Sequence, residues 1–168
     1  ATPSQPNIDS IGTDGDTLSI LGDNLQMGNT TANKPEIQLI NRADDASGPI
    51  ISFTNNRQDS GTQAGEDNDV LGTVKFIGYN DATPALKIYS QVVADIHDAT
   101  SGEESGRLTF KVANHNGAHG SGLILTGGSE SNEVDVTLGF GANSVVTIPG
   151  DIDLAGDIDV DGTLETDA

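Results

Sequence analysis

Asp157, Asp159 and Asp161 stand at two-residue spacing before Gly162, with Leu164 two places further on. This order reproduces the first half of a twelve-residue calcium loop, in which alternate carboxylates supply hard oxygen ligands and glycine makes the sharp turn. The second half departs from that pattern. Its twelfth position is Ala168, where the loop needs a bidentate glutamate, and no helix pattern flanks the segment. His115 and His119, in Asn114-His-Asn-Gly-Ala-His-Gly120, are the other candidate metal ligands. Three copies of each imidazole brought to a common axis would suit a transition metal, whereas a lone glycine-rich loop would leave them in solvent. His97 lies between Asp95 and Asp98 at a strand end, a place for capping or hydrogen bonding, and no nucleophile motif accompanies it. The carboxylate pairs Asp44-Asp45 and Glu103-Glu104 have the residue types of glycoside cleavage. With 26 acids in the chain, adjacent pairs arise in any polar loop, and no apolar pocket that would raise an acid's pKa is visible. The expectation is a protein without catalytic residues, bound cofactor or dedicated metal.

The three aspartates belong to a repeat, and the repeat gives them another explanation. Cut at its glycines, the end of the chain reads Gly150-Asp-Ile-Asp-Leu-Ala, Gly156-Asp-Ile-Asp-Val-Asp, Gly162-Thr-Leu-Glu-Thr-Asp. Six is a multiple of the two-residue strand period, so every residue keeps its face from one hexad to the next. Ile148, Ile152, Leu154, Ile158, Val160 and Leu164 share one side with the glycines, and the acids occupy the other. The aspartates then form a solvated face. As one extended strand the segment would reach ~60 Å with nothing after it to cover its apolar side. If three identical chains each supply one hexad per layer, every layer closes into a triangle with its apolar residues on a shared axis and leaves no open edge. Hexapeptide acyltransferases also run in sixes, but their solenoids need many coils, and residues 34–147 lack the period.

Composition agrees with a thin, turn-rich, all-β architecture. Leu, Ile, Val and Phe number 40 of 168 residues, above the roughly 20% below which chains stay disordered. Against 21 glycines there are only six aromatic side chains and no tryptophan, too few for a large aromatic core. The formal charge of −19 repels phosphate backbones and anionic bilayers, which excludes nucleic acid as a partner. No apolar run approaches the ~20 residues of a membrane span, so no membrane insertion is expected. The absence of cysteine excludes disulfides and thiolate chemistry. The first residues lack the basic segment and apolar run of a signal peptide and fit a start left by a removed initiator methionine.

Along the chain, residues 1–33 read as an extended lead-in followed by two seven-residue copies, Gly15-Asp-Thr-Leu-Ser-Ile-Leu and Gly22-Asp-Asn-Leu-Gln-Met-Gly, an attachment or collar region. Residues 34–147 read as a β-rich body, and residues 148–168 as the stem. Strands are expected at 36–40, 49–54, 70–77, 85–97, 107–113, 122–126, 134–140 and 145–148, separated by Gly, Asn, Asp and Ser loops at the surface.

Pro35-Glu-Ile-Gln-Leu-Ile-Asn, Leu71-Gly-Thr-Val-Lys-Phe-Ile-Gly-Tyr-Asn, the stretch from Ile88 to Val112 and the closing Gly-Asp-Ile-Asp hexads, in this order, resemble the tail fibres and related virion appendages of tailed bacteriophages, of marine or cyanobacterial type. The resemblance spans most of the chain. It implies an elongated, intertwined homotrimer with a β-sandwich or β-prism-like body and a triple-stranded β-helix-like hexad stem, located in the virion. It also implies partners among other phage tail or virion proteins, and no enzymatic activity. The alternative is a receptor-binding module whose loops recognise host surface polysaccharide. The chain closes within what reads as a continuing repeat, which points to part of a longer fibre.

Overall fold

In a computed structural model of the chain, residues 20, 22, 24–58, 63–82 and 84–162 are described. The lead-in, half of the residues in the two seven-residue copies and the third hexad after Gly162, including Leu164, lie outside them. The protein is all-β, with no helix among the described residues. The chain divides into two units, Ala1–Ile51 and Ser52–Ala168.

The second unit contains one five-stranded antiparallel sheet, formed by β1 (Val70–Tyr79), β2 (Leu86–Asp98), β3 (Ser105–Ala113), β4 (His119–Gly127) and β5 (Val134–Leu138) in that spatial order. Each strand pairs with its neighbour in sequence, the simplest antiparallel meander. Local chemistry makes the turns. Asn80 accepts from the Ala85 N–H through its side chain (2.7 Å) and donates its own N–H to the Ala85 carbonyl (3.1 Å), closing the β1–β2 connection. Gly117 at φ 80° carries the chain from β3 back into β4, a backbone region that side chains resist. Between β4 and β5 the Glu133 carboxylate accepts the N–H groups of Ser129 and Glu130 at 2.7 and 3.0 Å.

The register sorts the residues into two unlike faces. One row across the sheet is Val74, Val92, Phe110, Leu123 and Leu138, and the next is Gly72, Ala94, Leu108, Leu125 and Val136. The opposite face carries Thr73, Val93, Thr109, Ile124 and Thr137, flanked by the rows Lys75, Gln91, Lys111, Ser121 and Asp95, Arg107, Thr126, Asp135. Sheets of this kind normally bury the first face against a second layer. Among the described residues no second layer covers it: no hydrophobic side chain is buried, and Phe76 and Val136 are 55% and 58% exposed. Only the margins are padded. The Phe53 side chain lies over Gly72 and the Phe140 ring over Gly120, close enough that a Cβ on either glycine would stand 2.8 and 2.9 Å from them.

All five strands from Val70 onward fall where alternation or apolar runs place them, with ends shifted by a few residues. The expected strands at 36–40, 49–54 and 145–148 are absent as strands; those residues join no sheet among the described residues. A strand is a pairing, and sequence alternation specifies the strand without specifying its partner. In the first unit the described residues form turns closed by side chains: Thr31 N–H donates to Asn29 Oδ1 at 2.7 Å, Ala43 N–H to Asn41 Oδ1 at 2.8 Å and Ser47 N–H to Asp45 Oδ1 at 2.8 Å. Ile37 and Ile50 stand 74% and 82% exposed there.

Candidate functional site

The hexads do not run as one straight strand. The backbone bends at Pro149-Gly150, Ala155-Gly156 and Asp161-Gly162, once every six residues, with no strand or helix between. Glycine is the second residue of each bend, in each case without a positive φ and with nothing within 4 Å of where a Cβ would stand. Between bends Ile152, Leu154, Ile158 and Val160 are all exposed, as is Ile148. The period also reaches one unit further back than the glycines suggest. Val146 and Ile148 take the second and fourth places after Ser144, as Ile152 and Leu154 do after Gly150, with the bend at Pro149-Gly150 closing that unit. Reading from glycine hid it, because Ser144 opens the unit; the alternation of apolar residues was the usable signal.

Asp157, Asp159 and Asp161 are exposed along this bending segment. His115 lies exposed in the β3–β4 turn, while His119 is the first residue of β4, half-buried, with Nε2 3.0 Å from the Ile88 carbonyl. Nε2 is therefore the protonated nitrogen, and it satisfies a backbone acceptor. Within one chain, no group of three His, Asp or Glu side chains among the described residues is placed to hold a metal ion. Asp45 and Glu104 spend their carboxylates on turns, accepting the N–H of Ser47 and Gly102 at 2.8 and 3.0 Å.

Three further polar clusters lie in the sheet and the loops beside it. Asp95, only 7% exposed, stands 2.8 Å from Arg107 Nη2, an ion pair whose Oδ1 is not aligned for a hydrogen bond. Arg107 also donates to Asn68 Oδ1 at 3.1 Å. Asp69 accepts the Glu66 N–H at 2.9 Å and Arg57 Nη1 at 2.8 Å. The Glu66 backbone bond foremost, then Arg57, holds its carboxyl below the ordinary 3.8 against the opposing effect of partial desolvation. Asp98 is also depressed, chiefly by the Thr100 N–H it accepts at 2.8 Å, with the Thr100 side chain and then His97 adding to it. His97 Nδ1 lies 3.0 Å from Ser105 Oγ. Together with Glu103, Glu104, Glu130 and Asp135 they line a groove of about 780 Å³. Its lining is anionic and hydroxylated and holds no aromatic platform.

The arrangement's chemistry is thus surface chemistry: two uncovered apolar faces, one on the sheet and one on the hexads, in a chain whose other surface is strongly anionic. No described helix is long and apolar enough to cross a membrane. Comparison with protein-family models, with curated proteins and with solved structures finds no match.

Proposed function

We propose that this chain is a structural component of a phage tail fibre or related virion appendage, where it works as a homotrimeric β shaft that supports attachment to the host. The reading is carried by the hexad segment, which bends every six residues and leaves its apolar side chains uncovered. A side of six residues between bends is the side of a triangle, and three chains supply the three sides of one layer. The aspartates then face water around a closed stem, where their mutual repulsion is screened by salt. A body of β-prism type, built from three sheets, completes the shaft. Its partners are two further copies of itself and neighbouring virion proteins.

The groove between the β2–β3 and β4–β5 turns supports a second reading, in which the body recognises host surface polysaccharide through its loops. Gold-labelled antibody against the chain, applied to phage particles from cultures that produce it, separates the two readings. Label along the tail or at the base of an appendage agrees with the shaft, and label confined to the free tips favours recognition. Chain that never co-purifies with particles overturns both.

A further inference from the structure

We infer that the uncharged face of the five-stranded sheet is the surface through which the body of one copy meets the same face of two others, around the axis that the hexads define. The inference rests on the trimeric reading above and names the contact that reading leaves open.

Charge comes first. In a chain of net charge −19, identical copies repel wherever their ordinary surfaces approach. The two rows through Phe110 and Leu108 hold no charged residue, whereas Lys75, Lys111, Asp95, Arg107 and Asp135 all lie on the other face. Only one side of the sheet can be laid against its own copy without burying charged side chains.

Dimensions then limit how many copies fit. Five strands at ~4.8 Å spacing make a sheet about 24 Å wide. Three such sheets forming a triangular prism put each backbone plane about 7 Å from the axis. Packed sheets stand ~10 Å apart, about 5 Å from plane to midline, so valine, leucine and phenylalanine side chains fill a 7 Å gap. Four sheets would stand about 12 Å from the axis and enclose a hollow lined with apolar side chains. Two or three copies therefore fit the sheet, and the six-residue bends select three. The middle of a prism side lies closest to the axis, and the middle strand is β3. Leu108 and Phe110 stand on it facing inward.

Area is of the right order. Seven residues along a strand at ~3.3 Å make the face about 23 Å deep, a plane of roughly 550 Å² before side-chain relief, about two-thirds of the ~800 Å² of accessible surface that each partner contributes to a stable complex. The Phe53 and Phe140 side chains at the margins, over Gly72 and Gly120, leave the centre of the face open while closing its rim.

The chain contains no cysteine, so single cysteines report proximity cleanly. In such a prism the three β3 strands stand about 12 Å apart, beyond the reach of a disulfide, so Phe110→Cys in the 168-residue chain, treated with a bismaleimide spanning about 10 Å, is expected to give covalent dimers in high yield, and Thr137→Cys on the polar face is not. Phe110→Lys is expected to weaken association at least ~tenfold, since it sets three ammonium groups together near the axis. Thr137→Lys should leave association unchanged. A trimeric parent in which Phe110→Cys fails to cross-link and Phe110→Lys still assembles overturns the inference while leaving the stem trimer standing. A parent that is itself monomeric overturns the trimeric reading, and the inference with it.

Discussion

Ile158→Asp probes the stem at a side chain that is 64% exposed in the lone chain. Full burial of an isoleucine is worth ~1.5–3 kcal/mol, so covering the exposed remainder contributes about 1–2 kcal/mol per chain and about 3–6 kcal/mol per trimer. Loss of that burial alone lowers the association constant by two to four powers of ten, at ~1.4 kcal/mol for each. The aspartate adds three carboxylates facing one another across the axis, where desolvation and mutual repulsion both penalise the ionised form. Their pKa in the assembly is therefore raised above the dissociated value. Because an acid with a raised pKa is favoured protonated, association of the variant should recover as pH falls through that raised value and weaken as pH rises. Ile158→Asn removes the same burial without the charge, so its association should be weakened at all pH values. Asp159→Asn, on the opposite side, should assemble like the parent. Sedimentation velocity across a concentration series at several pH values reads all three. An Ile158→Asp protein that associates as tightly as the parent at neutral pH would refute the argument that the apolar side of the hexads faces an axis.

The remaining expectations concern the sheet, the turns and the acids. Gly120→Val places side-chain carbon where the Phe140 ring lies, with the first added atom 2.9 Å from it, and should cost about 1–3 kcal/mol in denaturant unfolding; in a Phe140→Ala background the same change should be close to neutral. Asp69 and Asp98 have depressed pKa values, so the stability they contribute is present above their ordinary 3.8 and is lost as pH falls through their lower folded values. The Glu66 and Thr100 amide resonances should move together with that titration in NMR spectra, and Asp69→Asn should abolish the Glu66 response. Millimolar calcium added to metal-stripped protein should produce neither binding heat nor a shift in melting temperature, since Ala168 stands where a calcium loop requires its bidentate ligand.

How much of this was legible in the sequence depends on whether a feature needs a partner. Leu86, Ile88, Val92, Ala94 and Ile96 mark β2 by alternation, and Leu108, Phe110 and Val112 mark β3, because a two-residue period is a property of one strand. Bulges are not visible that way: His97 and Gly122 fall where the register slips, between Ile96 and Asp98 opposite β3 and opposite Phe110 and Lys111, and neither announces it in the sequence. The stretches around Ile37, Ile50 and Val146 have strand-like sequences and no strand within one chain. His119 illustrates the reverse error. Its place after a glycine-rich loop suggested an exposed imidazole, whereas β4 begins at that residue and turns the ring onto the Ile88 carbonyl. The groove near His97 was foreshadowed only as polar loops, since its walls come from turns far apart in sequence and brought together by the meander.

The proposed trimer is tested most directly by the mass of the 168-residue chain under native conditions. Native mass spectrometry should find a species of about 52 kDa, three times the 17.3 kDa chain, persisting on dilution. A folded species at the mass of one chain, with no larger form at any concentration, would contradict it.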